Sequence, residues 1–168
     1  GQLVDIRAEP SLQLARSHAS AVVVGDSLCI VGGRSADDSL SSVECAEITP
    51  DGLEPFVVAG DLAQARFDAH AAVVGDRLLV VGGYTATNTL ADPNSESAPA
   101  NPRDLQFDTN SDLPNAGRAK AAAVVMNEAL FLAGGSLAEE STFGNAVVQV
   151  GVDGNAVPVQ LDFDTGVL

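Results

Sequence analysis

Three arginines stand at matching places in this chain: Arg16, Arg66 and Arg118. An arginine can grip a carboxylate through two parallel N–H groups, so its recurrence points to repeated carboxylate contact. One form of that contact is local, with acids such as Asp61, Asp68 or Asp112 fixing the chain where it enters each unit. His18 and His70 follow their arginines by two and four positions, and the third copy carries Lys120 and Ala122 there. A metal site on two histidines needs further ligands, and no spacing supplies them. Arg66, Asp68 and His70 form the one acid–base cluster, and the other copies do not converge on it. Acidic pairs at Asp37-Asp38 and Glu139-Glu140 lack the Asp-x-Asp-x-Asp-Gly pattern of a calcium loop. The sequence also has no Gly-x-Ser-x-Gly, phosphate loop or Cys-x-x-Cys. It therefore assigns no catalytic, cofactor-binding or metal-binding residue, and no cofactor.

Cys29 and Cys45 are the two cysteines. If residues 28–32 and 42–48 pair as a hairpin around Asp37, the two fall opposite each other, and a cross-strand disulfide becomes geometrically possible. Two small buried thiols on one face are the alternative. A bridge would favour an oxidising compartment. Net charge is −15, with Lys120 the only lysine among eight cations. Such a surface repels phosphate backbones and anionic lipid, which argues against nucleic acid and membrane surfaces as partners. It suits solubility in salt or outside the cell, and secondarily attraction of a basic partner. No stretch approaches the roughly 20 apolar residues of a membrane span. The opening Gly1-Gln2-Leu3-Val4-Asp5 is expected to be a trimmed or cleaved start, since it holds neither Met nor a leader.

The elements that position these residues come in three copies. After each arginine comes a small-residue stretch, an alternating apolar run and a double glycine: Gly32-Gly33, Gly82-Gly83 and Gly134-Gly135. The steps of 50 and 52 residues between these pairs mark repeated supersecondary units. In the first copy the expected strands are Ala21 to Val24, Leu28 to Val31, Ser42 to Ile48 and Leu53 to Ala59, with turns at Gly25-Asp26 and Pro50-Asp51-Gly52. The second keeps the hairpin, Ala71 to Val74 and Leu78 to Val81. Residues 85–104, with Pro93, Pro99 and Pro102, then read as a long polar loop in place of a third strand, with Leu105 to Phe107 as the outer strand. The third has Ala123 to Met126, Leu130 to Ala133, Ala146 to Val152 and Val157 to Phe163. The Ala-rich stretch from Arg118 to Val125 competes as a helix, but the other copies are Val-rich there. Leu3 to Arg7 reads as one more strand. With 4% aromatics and no Trp, the core must be aliphatic. The fold class is all-β, four antiparallel strands per unit.

Taken together, the arginine, the small residues, the apolar hairpin and the terminal Gly-Gly resemble the kelch motif over residues 16–168. The resemblance implies one β-propeller blade per copy: residues 16–65, 66–117 with the loop 85–104, and 118–168. Residues 1–15 would be an outer strand of a preceding or closing blade. Departures mark a divergent member of bacterial type: Cys29, Leu79 and Phe131 stand where the family usually has Tyr. Phe56, Phe107 and Phe163 are the nearest stand-ins for its Trp. Propellers need about 4 to 8 blades, so three imply a partial propeller or half of an oligomeric ring. The glycine pairs imply a close approach by a neighbouring blade. By position, Arg16, Arg66 and Arg118 would ring the channel mouth and, with His70, bind an acidic partner. One Tyr excludes the copper radical oxidase site of some relatives. The expected function is non-catalytic protein–protein binding or assembly, extracellular, periplasmic or cell-surface, with further blades or a second copy as partner. The alternative is part of an extracellular carbohydrate-active enzyme of the sugar epimerase kind, or of an oxidising enzyme, with its catalytic residues elsewhere.

Overall fold

Alternation of apolar and small residues between glycine-marked turns favours paired strands, and that is what forms. The computed structural model describes residues 8–36, 38–91, 95–109, 118–137 and 147–151. Among them every regular element is a β-strand. No helix of the described residues is long and apolar enough to cross a membrane. The first unit holds β1 (Ser20–Val24), β2 (Ser27–Val31), β3 (Arg34–Ser35), β4 (Asp38–Ser39), β5 (Ser42–Thr49), β6 (Gly52–Leu53) and β7 (Val57–Asp61). The second holds β8 (His70–Val74), β9 (Arg77–Val81), β10 (Ser95–Pro99), β11 (Leu105–Gln106) and β12 (Asp108–Thr109). The third holds β13 (Ala122–Met126), β14 (Ala129–Ala133) and β15 (Val147–Gly151). Of the Ala-rich segment, Ala122 to Val125 is strand, and no part of it is helix.

Each sheet starts from the same hairpin: β1–β2, β8–β9 and β13–β14, antiparallel through five residue pairs each. Gly25 and Gly75 take positive φ at the turns, and Asn127 and Glu128 do so in the third copy. The second strand then pairs with β5, β10 or β15. In the first sheet Cys29 stands directly opposite Cys45, Cα atoms 4.1 Å apart, and the two form a disulfide.

Two expectations for the second unit are corrected. Residues 85–104 are not one loop, because Ser95–Pro99 is a full third strand. Its Ser95-Glu96-Ser97 lacks apolar alternation, yet all three are buried. Burial is tolerated because Arg66 meets Glu96 and Arg77 meets the Ser97 hydroxyl at 2.7 Å. Leu105–Gln106 is not the outer strand of its own sheet; it pairs in parallel with β7 of the first. Asp108–Thr109 pairs with β10 instead. In the first unit the outer strand is Val57–Asp61, later than expected, because Gly52–Leu53 turns back onto β5. The expected strands Leu3 to Arg7 and Val157 to Phe163, and the turn residue Asp37, lie outside the described residues.

The sheets pack face against face. Val24, Cys29, Val31 and Val43 of the first meet Leu78, Val80 and Ala98 of the second. The second sheet's other side, with Ala72, Val74, Leu79 and Val81, meets Leu130, Leu132, Val148 and Val150 of the third. Strand β8 lies between β1 and β13. Because successive side chains point to opposite faces, one hairpin serves two junctions.

The disulfide closes a loop between residues 16 apart in sequence, which on chain-entropy grounds stabilises by about 3 kcal/mol. Cys29→Ala with Cys45→Ala is expected to lower the urea unfolding free energy by about that amount; a change under about 0.5 kcal/mol would contradict this assignment.

Candidate functional site

Each arginine ends in a buried network, not at the surface. The Arg66 Nη1 donates to the carbonyl of Gly82 at 3.0 Å, and Nη2 donates to Glu96 Oε1 at 2.5 Å. Glu96 in turn accepts the backbone N–H groups of Ala63 (2.6 Å) and Gln64 (3.1 Å). Arg16 repeats the pattern, with Nη1 on the Gly32 carbonyl at 2.8 Å and Nη2 on Glu44. Glu44 accepts the N–H groups of Gln13 and Leu14. Arg118 keeps the bond to Gly134 at 2.7 Å, but Val148 stands where the other copies place Glu44 and Glu96. Both side chains of the two ion pairs are at most 1% exposed, and Arg118 is equally buried. Burial pushes the Arg66 guanidinium below its ordinary pKa, and Glu96 pulls it back up. Burial also lowers Arg118.

These positions correct the sequence reading. The arginines do contact carboxylates, but Glu44 and Glu96 on third strands, not Asp61 or Asp68; Asp112 lies outside the described residues. With their guanidinium groups turned inward, they do not form a cationic ring. A glutamate on the third strand of the first and second units, 28 and 30 residues after its arginine, was the available signal.

What the networks hold in place is the residue two positions on. His18, Asp68 and Lys120 occupy equivalent positions, all left-handed, with φ of 56°, 54° and 58°. The N–H of Asp68 donates to the His18 carbonyl (2.9 Å), and that of Lys120 to the Asp68 carbonyl (3.1 Å). His70 is thus not the counterpart of His18; it matches Ser20 and Ala122, at the start of the first strand. The Lys120 ammonium stands 3.9 Å from Asp68 Oδ2. Next to this row lie Phe67 and Tyr84, ring centres 5.8 Å apart. Arg34 lies 5.2 Å from the Phe67 ring centre and Lys120 5.6 Å from that of Tyr84. Two buried atoms, Asp68 Oδ2 and His70 Nε2, have no hydrogen-bond partner among the described residues. The row can therefore accept hydrogen bonds from a bound polar group and offer an ammonium beside them. No group of three or more His, Cys, Asp or Glu side chains is placed to hold a metal ion among the described residues.

Fold and network together define an all-β protein of repeated, face-packed sheets. No family model matches the chain, and no curated protein matches it. Among solved structures, that of YjhT is similar, with a TM-score of 0.75 at 18% sequence identity. The match covers 92% of this chain and 48% of the YjhT chain, so this chain spans about half that length. The likeness is one of fold.

Two outcomes are expected. Glu96→Gln leaves a buried guanidinium without its counter-charge and is expected to cost about 3–5 kcal/mol of stability in urea titration, well beyond a surface Glu→Gln change. Burial also lowers the His70 pKa from 6.5, with Asp68 partly opposing. An unfolded histidine then takes up its proton at higher pH than the folded one. The contribution of His70 to stability is flat above about pH 6.5, falls as pH drops below it, and levels off once His70 protonates in the fold. His70→Gln is expected to remove that fall below about pH 6.5; an unchanged profile would reject it.

Proposed function

We propose that this chain is a segment of a kelch-type β-propeller, three blades in a row, that works by binding protein and not by catalysis. One observation carries the reading. All five residues of Ala122–Met126 are exposed, Val124 at 59% and Met126 at 54%, whereas Val24 and Val74, which match Met126, are at 0% and 1%, and Ala72, which matches Val124, is at 7%. The third sheet thus presents the same apolar face as the first two, with nothing covering it among the described residues. Burying one such side chain is worth about 1.5–3 kcal/mol, which makes this face a place for a protein surface of matching shape. The blades are residues 16–65, 66–117 and 118–168. The partners are further blades, in the same kind of chain or in a second copy. The disulfide supports an extracellular, periplasmic or cell-surface setting.

One observation favours a second reading. Asp68 Oδ2 and His70 Nε2, which have no hydrogen-bond partner among the described residues, suit a ligand hydroxyl, as in the propeller of a carbohydrate-active enzyme whose catalytic groups lie elsewhere. Ligand-observed NMR with neutral hexoses, lost in Asp68→Asn, would support it; no signal in the wild type would reject it.

For the main reading, the wild-type chain is expected to associate in sedimentation velocity, or as a monomer to bind a hydrophobic dye strongly. Val124→Lys with Met126→Lys is expected to weaken either signal at least tenfold with the far-UV dichroism unchanged. A wild-type monomer that binds no dye sinks the proposal.

A further inference from the structure

The two internal junctions follow one hydrogen-bonding rule. The second glycine of a pair donates its N–H to the carbonyl of the next unit's arginine: Gly33 to Arg66 at 2.9 Å, and Gly83 to Arg118 at 3.0 Å. The residue two beyond that arginine donates its N–H back to its counterpart in the preceding unit, Asp68 to His18 and Lys120 to Asp68. Both bonds have a direction, so a junction has a leading and a following side.

Carried to the ends of the described chain, the rule leaves complementary groups. On the leading side of the third unit, the Gly135 N–H has no acceptor among the described residues. On the following side of the first, the Arg16 carbonyl has no backbone donor and the His18 N–H no backbone acceptor among the described residues. Gly135 already has the conformation of its counterparts, with φ of 89° against 102° at Gly33 and 93° at Gly83. The apolar surfaces agree. Val124 and Met126 are exposed on the leading face of the third unit, and Val23 is 55% exposed on the following face of the first. Val74, the counterpart of Met126 at an internal junction, is at 1%, and Val73, the counterpart of Val23, is partly buried against the first sheet, while Val125 stays 43% exposed.

We infer that these two faces bind each other between copies, head to tail, so that two chains close a ring of six units. This rests on the propeller reading. Gly135 N–H of one copy would donate to the Arg16 carbonyl of the second, while Val124 and Met126 of the first pack against the Val23 side of the second. The second copy repeats the junction in return, giving two identical contacts about a two-fold axis and no open end. Six units fall within the roughly 4 to 8 that close a propeller.

The test uses face-specific variants, measured by sedimentation equilibrium in about 0.15 M salt, since two chains of charge −15 repel each other at low ionic strength. The wild type is expected to be a dimer. Variant one, Val124→Lys with Met126→Lys, blocks the leading face; variant two, Val23→Lys, blocks the following face. Each alone is expected to dimerise at least 100-fold more weakly. An equimolar mixture is expected to recover part of the dimer, because one junction pairs the intact leading face of variant two with the intact following face of variant one. Dimerisation of variant two alone at wild-type strength would show that leading faces pair with each other and would overturn the head-to-tail ring. A wild-type monomer that binds hydrophobic dye at the Val124 face would also overturn it, yet leave the propeller reading standing. A wild-type monomer with no dye binding overturns both.

Discussion

The buried arginine–glutamate pair is the interaction on which the other features depend. Arg66 ties together three segments that are distant in sequence: the linker at Ala63 and Gln64, the end of the second strand at Gly82, and the third strand at Glu96. The pair is desolvated, so its Coulomb attraction is opposed by a large cost of removing two charges from water. That cost is offset because nearly every donor and acceptor in the network meets a partner, including backbone N–H groups that would otherwise be orphaned. The consequence is specificity of path. A chain entering a unit anywhere else would strand a buried charge, so the linker, the glycine pair and the third strand are held in one arrangement.

From that arrangement the junctions follow. With the arginine pinned, its own carbonyl points at the preceding glycine pair and accepts a backbone bond there. The approach is close: a Cβ at Gly32 would lie 2.6 Å from the Arg66 carbonyl oxygen. The second glycine answers a different constraint, since a Cβ at Gly33 would meet the Ser17 carbonyl at 2.8 Å within its own unit. The neighbouring unit thus explains the first glycine, and the unit's own first turn explains the second. The same pinning holds His18, Asp68 and Lys120 in the left-handed region, which costs roughly 1–2 kcal/mol for each non-glycine residue. That strain falls on a row that includes Asp68, whose buried Oδ2 has no hydrogen-bond partner among the described residues, a pattern associated with functional positions.

Much of this was legible in the sequence. The repeat step, the hairpins, the all-β class and the opposition of Cys29 to Cys45 follow from local alternation and turn chemistry, which act within about ten residues and need no knowledge of the rest. Ser95–Pro99 was not legible, because a strand of Ser, Glu and Ser carries no apolar period. It is buried only because Arg66 and Arg77 arrive from other segments. The pairing of Leu105–Gln106 with the first sheet was hidden for a similar reason, since two residues hold no register information of their own.

By itself, then, the sequence determined how many units there are, where each hairpin turns and which positions tolerate no side chain. Those features arise from backbone conformation and short-range periodicity. The tertiary structure alone decided where the arginines point and what they meet. Their partners sit on strands 28 and 30 residues away, and which face those carboxylates occupy depends on register, where a slip of one residue turns every side chain to the opposite side. Three arginines suited to a surface site thereby became the buried frame, and the more accessible chemistry passed to the row His18, Asp68 and Lys120 beside it.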